Sequence, residues 1–204
     1  PPVMTWPGSG SVVSRRSPSG MGSAPVRLLW VAPILTTFNT AGDEELRTRL
    51  ASCCAADSWV ERVLAGRPYA DEAELGAVSD AATAELDDVG LAQALAGHPR
   101  IGERQSTHAG RDRAAVWSRQ EQTGVVTAEA DVVAALETAN ADYERRFGHV
   151  YLVCASGRSA TELLDVCRAR LDNDPVTERC VVLSELAKIN RLRLSKLLSE
   201  EVAS

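Results

Sequence analysis

Aromatic residues make up only 4% of the 204-residue chain, and there are two lysines, Lys188 and Lys196. So few aromatics argue against a β-sandwich, and abundant alanine favours helices. The formal charge is -6, and no basic stripe tracks a phosphate backbone, so nucleic acid is not an expected partner. The cysteines are Cys53, Cys54, Cys154, Cys167 and Cys180. Their number is odd and they form no C-x-x-C pair, which argues against a disulfide framework or a thiolate zinc site. They read instead as small buried hydrophobes in a reducing, cytoplasmic compartment. The histidines His98, His108 and His149 are scattered, without H-E-x-x-H spacing, so no metal is expected. Glycine-rich phosphate loops and G-x-S-x-G are absent. The longest apolar run, "LLWVAPILTTF", is interrupted by Pro33 and is too short to cross a bilayer. It follows "SRRSP", but no small-residue cleavage site comes after it, so an export signal is not expected.

What remains is a globular composition, 45% hydrophobic and 25% charged, in a length that suits one domain with a sizeable core. Residues 1–25 are rich in Pro, Gly and Ser and are expected to form a disordered leader, with Met21 as an alternative start. Residues 26–204 are expected to form the domain. From residue 40 onward the hydrophobic period is helical. In "DEELRTRLASCC", Leu46, Leu50 and Cys53 share a face. "DSWVERVLAG" has Asp57 as its expected N-cap and Val60, Val63 and Leu64 as its stripe, with Gly66 and Pro68 as its stop. "EAELGAVSDAATAEL" and "DDVGLAQALAG" continue the pattern, and "ERQSTHAGRD" is a polar connector. "RAAVWSRQEQTG" should close at Gly124, and Thr127 should cap a long helix that stops at Gly148. The β-branched and aromatic "HVYLVCASG" reads as extended near 149–154. Ser159 and Glu162 form a capping box. Asp174 and Pro175 open the last helix, with Val176, Cys180, Leu183, Ala187, Asn190, Leu194 and Leu197 as its expected buried stripe. The expected fold is all-α: one bundle-like domain of about eight helices with one short extended segment.

Three constellations can carry chemistry. In "GHPRIGE", His98 precedes Pro99 at the end of a helical pattern, because a residue before proline leaves the α region. A histidine there feels the negative end of the helix dipole, which predicts a raised pKa and a proton donor near neutrality. The plain alternative is a helix stop. In "SRQEQ", Ser118, Glu121 and Gln122 are spaced i, i+3, i+4. One helix face then offers a hydroxyl, a carboxylate and an amide to a small polar ligand, or simply faces solvent. In "KINRLRLSKL", Arg191 or Arg193 could neutralise a carboxylate or complete the helix dipole.

In order, "FNTAGDEELRTRLASCCAADSWVERVLAGRPY", "HPRIGE", "SRQEQTGV", "NADYERRFGHVYLVCASGRS" and "ELAKINRLRL" resemble the landmarks of the 2-oxo-4-hydroxy-4-carboxy-5-ureidoimidazoline (OHCU) decarboxylase family. The resemblance spans residues 38–200. It implies an all-α fold that uses no cofactor and converts the ureidoimidazoline to (S)-allantoin and CO₂ during urate breakdown. His98 and Glu121 become the catalytic pair. Pro99, Ser118, Gln122, Arg193 and the stretch Val150, Tyr151, Leu152, Val153 and Cys154 become the substrate-binding set. Arg191 is the alternative to Arg193. His149, where relatives look aromatic, either lines the pocket or packs. A homodimer also follows from the resemblance. The rival classes are an enzyme of another small ureide, and a non-catalytic helical binding domain in which these residues do not converge.

Overall fold

The computed structural model describes residues 33–102, 113–126 and 129–202. The leader 1–25 with Met21, the connector 103–112 with His108, and Thr127 lie outside the described residues. Pro33 does not merely break the apolar run. It stands at the first position of α1 (Pro33–Thr40), where its missing N–H would be unpaired in any case. Helix α2 (Asp43–Cys53) buries Leu46, Leu50 and Cys53. α3 (Asp57–Ala65) buries Trp59, Val60, Val63 and Leu64. Asp57 is not its N-cap. Ala56 takes that position, and the Asp57 carboxylate accepts a hydrogen bond from Gln93 Nε2 at 2.9 Å. Asp71 and Asp87 cap α4 (Glu72–Ala84) and α5 (Asp88–Ala96) by accepting the N–H groups of Glu74 and Gly90.

Gly124 does not close the next helix. α6 (Arg113–Glu121) ends earlier, and Gly124 sits inside a single turn, α7 (Thr123–Val126). It is there because the chain runs against Arg158. A Cβ at this position would lie 2.1 Å from the Arg158 carbonyl oxygen. α8 (Ala130–Phe147) has Glu129, not Thr127, at its N-cap position and stops at Gly148 with φ +78°. α9 (Ala160–Arg170) carries both halves of the Ser159–Glu162 capping box. α10 (Pro175–Val202) opens with the Asp174 carboxylate accepting from Val176 N, Thr177 N and Thr177 Oγ1. The described residues thus hold ten helices. α1 and α7 are the two added to the expected eight, one hidden behind a proline and the other behind a glycine.

The buried stripe of α10 also differs from its expected form. Asn190, Leu194 and Leu197 are buried, but Val176 and Cys180 are exposed, and Leu183 and Ala187 are only half-buried. The inward face at the start of the helix is carried instead by Glu178, Val182, Glu185 and Leu186. Two acids on that face disguise it as solvent-facing.

α10 packs on α4, α1 and α2, while α8 packs on α9. Two hydrophobic cores result. One is built from α1–α5, Trp117 and α10. The other is built from α8, α9, Ile101 and Val125. Residues 150–155 run between them. Val150, Leu152 and Cys154 pack on the first core, and Tyr151, Val153 and Ala155 join the second. Such alternation is what an extended chain produces. All described residues fall in one compact unit, Val31–Ser204.

Candidate active site

His98 follows the Gly97 C-cap of α5 and turns back on its own helix. Its Nδ1 lies 2.8 Å from the Ala94 carbonyl oxygen. A carbonyl can only accept, so Nδ1 carries the proton and Nε2 carries the lone pair. Nε2 is buried and has no hydrogen-bond partner among the described residues. The predicted rise in pKa is reversed. Burial, reinforced by the positive charge of Arg193, pushes the imidazole down from 6.5 to about 4, against the Ala94 hydrogen bond. The dipole term at a helix end is worth ~1 kcal/mol at most sites, and the cost of removing an imidazolium from water exceeds it. His98 is therefore a neutral imidazole with an acceptor nitrogen.

The turn that follows is fixed from two sides. Asn140 Nδ2 of α8 donates to Ile101 O at 2.8 Å. Gly102, at φ +84°, donates its N–H to Gln122 Oε1 at 3.0 Å. Few residues other than glycine adopt that backbone conformation readily. Gln122 thus holds the His-Pro turn as well as lining the site.

Ser118 and Glu121 project from α6 and meet Arg193 from α10. Arg193 Nε and Nη2 donate to the two Glu121 carboxylate oxygens at 3.2 and 3.1 Å. Nη2 also donates to Ser118 Oγ at 3.0 Å, and Nη1 donates to Cys53 O at 3.4 Å. Lys196, which the motifs did not suggest, places its Nζ 3.4 Å from Glu121 Oε1. Two cations around one carboxylate leave a net positive charge, which suits an anionic ligand. Arg191 is turned outward and binds both Asp80 oxygens, so Arg193 is the arginine at the site. Among the described residues no hydrogen bond joins Glu121 to His98. The histidine's state is set by Ala94, burial and Arg193 rather than by Glu121.

These groups line one small cavity. Its walls contain His98, Pro99, Ser118, Glu121, Gln122, Tyr151, Leu152, Val153 and Arg193. Val150 and Cys154 are not in the lining. Val150 packs into the first core, and the Cys154 N–H is taken by Glu185. Ile101, Ala155 and Ile189 complete the walls. Ile101 and Ile189 lie within motifs already singled out, and Ala155 follows from the alternation of the extended segment. His149 packs against Tyr143 and Phe147 and is not in the lining. The convergence on one cavity runs against the binding-domain alternative, which predicts separate surfaces.

Residues 39–195 match the OHCU decarboxylase family. The 2-oxo-4-hydroxy-4-carboxy-5-ureidoimidazoline decarboxylase of Amia calva is 31% identical over 138 residues, covering 67% of this chain and 77% of the relative. The chain belongs to the OHCU decarboxylase family. It is also 26% identical over 149 residues to the uric acid degradation bifunctional protein TTL of Arabidopsis thaliana, covering 73% of this chain and 46% of that longer protein. This chain thus spans less than half of that protein's length. A crystal structure of OHCU decarboxylase in the presence of (S)-allantoin superposes with a TM-score of 0.63 at 24% identity, covering 78% of this chain and 99% of the other. A crystal structure of (S)-allantoin synthase gives a TM-score of 0.58 at 14% identity, covering 80% and 53%. These likenesses establish the all-α fold of the family. Among the described residues no helix is long and apolar enough to cross a membrane. No group of three or more His, Cys, Asp or Glu among them could hold a metal.

Proposed function

We propose that this protein decarboxylates 2-oxo-4-hydroxy-4-carboxy-5-ureidoimidazoline to (S)-allantoin and CO₂ in urate breakdown, with His98 as the proton-transfer residue. Family membership supports the reaction. One observation supports the role of the histidine: a buried neutral imidazole whose Nε2 has no partner among the described residues, in a cavity it shares with the Arg193–Glu121 pair.

The substrate carries a carboxylate and a hydroxyl on one ring carbon, next to a ring C=N bond. That imine is the electron sink, so the chemistry can proceed without a cofactor. Nε2 of His98 accepts the hydroxyl proton, a task that requires the neutral ring. The bond to the carboxylate breaks and CO₂ leaves. Its electron pair forms a double bond to the ureido-bearing carbon, and the imine electrons move to the ring nitrogen. A proton from solvent settles on that nitrogen. The proton held by His98 is delivered to one face of the ureido-bearing carbon, and the former hydroxyl oxygen becomes the ring carbonyl. One donor on one face yields one enantiomer. General acid–base transfer of this kind contributes ~10²–10⁴ in rate. Arg193 and Lys196 supply the positive field that draws in the anion. Ser118, Glu121 and Gln122 offer hydrogen bonds to the ureido group and ring carbonyl, with Pro99, Tyr151, Leu152 and Val153 as the facing wall. As part of the same reading, the protein works in the cytoplasm, where unpaired thiols persist, and as a homodimer, which light scattering on the eluted protein checks.

The deciding experiment generates the substrate in place from urate with urate oxidase and hydroxyisourate hydrolase, and follows allantoin by circular dichroism. The expected result is a fast rise with the sign of the (S)-enantiomer that His98→Gln abolishes. Conversion that is optically silent and no faster than the blank overturns the decarboxylase reading. Full rate and selectivity in His98→Gln overturn the role of the histidine.

A further inference from the structure

The wall at 150–155 has no partner strand among the described residues. In an extended chain the carbonyl of one residue and the N–H two residues on lie along the same edge. On this edge Arg170 Nη1 donates to Leu152 O at 2.7 Å, and Cys154 N–H donates to Glu185 Oε2 at 2.8 Å. One donor and one acceptor at that spacing do the work of a single residue on a neighbouring parallel strand. Both side chains are themselves held. Arg170 Nε donates to Glu178 Oε1 at 2.9 Å, and its guanidinium lies 5.0 Å from the Tyr151 ring centroid. Glu185 accepts from Lys188 Nζ at 2.5 Å.

The opposite edge is different. The N–H and C=O of Val153 make no hydrogen bond to any described residue, although Val153 is buried and lines the cavity. A buried main-chain pair without partners is costly and is normally satisfied by something. A ligand rich in amide N–H and C=O groups, such as a ureide, supplies both partners.

We propose that Arg170 and Glu185 are positioning residues: they grip one edge of the extended wall so that its other edge, at Val153, is presented to the ureide in the cavity. This rests on the decarboxylase reading and adds two residues that touch no substrate. A clamp of this kind matters because displacement of a binding wall by about 1 Å can cost ~10²-fold in rate.

The test is Glu185→Ala beside Glu185→Gln, in the full chain, with two readouts. Amide exchange of Cys154, followed by NMR without substrate, is expected to quicken at least tenfold in the alanine variant and far less in the glutamine variant, whose amide oxygen still accepts. In the coupled assay the alanine variant is expected to lose ~10²-fold in kcat/KM per folded molecule, with glutamine restoring most of it. Arg170→Lys keeps the charge beside Glu178 but withdraws the fork from Leu152. It is expected to show the same loss in kcat/KM, the Cys154 N–H remaining on Glu185, and serves if Glu185→Ala does not fold. Unchanged Cys154 exchange in Glu185→Ala, or Arg170→Lys with kcat/KM within twofold of the parent, overturns the clamp. Faster exchange with kcat/KM within twofold of the parent overturns its role in the site. Parent protein that fails to turn over the ureidoimidazoline defeats the decarboxylase reading instead, and the exchange rates still decide the clamp.

Discussion

At the scale of single residues, the protonation of His98 has a consequence for stability as well as chemistry. Its folded pKa of about 4 lies below the ordinary 6.5, so below pH 6.5 the unfolded chain binds the proton more readily. Stability therefore rises with pH from about 4 to 6.5 and is lost as pH falls through that window. The full difference is about 3 kcal/mol for this one group. Urea unfolding at several pH values should show this slope, and His98→Gln should remove it. Activity should likewise persist down to pH values well below 6.5. A second outcome concerns the ion pair. Glu121→Leu leaves Arg193 buried without a carboxylate and should cost about 3–5 kcal/mol. Arg193→Met should cost less, because Glu121 retains Lys196; urea midpoints of the two variants check the order. The identity of these residues was legible in the motifs, but their electrostatic state was not. The spacing of "SRQEQ" put a carboxylate on a face. Nothing local could reveal that Arg193, from the last helix, would both neutralise Glu121 and depress His98.

At the scale of elements, short-range signals held well. The Ser159–Glu162 box forms as its spacing implies, and Ser159→Ala should cost about 1 kcal/mol in urea unfolding. The exceptions have identifiable causes. Pro33 reads as a breaker but fits the first turn of α1, where local pattern cannot separate the two roles. Gly124 reads as a stop but exists for a long-range contact with Arg158. Gly124→Ala should destabilise by about 1–3 kcal/mol, because the clash is with backbone that cannot rotate away. The inward face at the start of α10 escapes the hydrophobic pattern because Glu178 and Glu185 are buried on it. Hydrophobic periodicity counts such residues as outward-facing; partners brought by other elements, Arg170 and Tyr143 for Glu178 and the Cys154 N–H for Glu185, make burial tolerable.

At the scale of the whole molecule, the cavity opens where two cores meet, and the buried Arg170–Glu178 pair ties α9 to α10 there. Its carbonyl contact at Leu152 and its ring contacts with Tyr143 and Tyr151 make it the hub of that junction. Glu178→Leu alone should cost about 3–5 kcal/mol, by stranding Arg170. The double variant Arg170→Met with Glu178→Leu should recover part of that loss in calorimetry, while leaving catalysis impaired because Leu152 is no longer held.

The two-sided packing of residues 150–155 also imposes a parity on chain length. Odd-numbered side chains belong to one core and even-numbered ones to the other. Inserting a single residue after Gly148 would swap the two sets, sending Tyr151 and Val153 toward α10 and Leu152 toward α8 and α9. Inserting two would return every side chain to its own side, at the expense only of a longer bend before the wall. Families built on this fold should therefore tolerate length changes here in steps of two, and a library of insertions at this point, scored for soluble protein, should show the alternation.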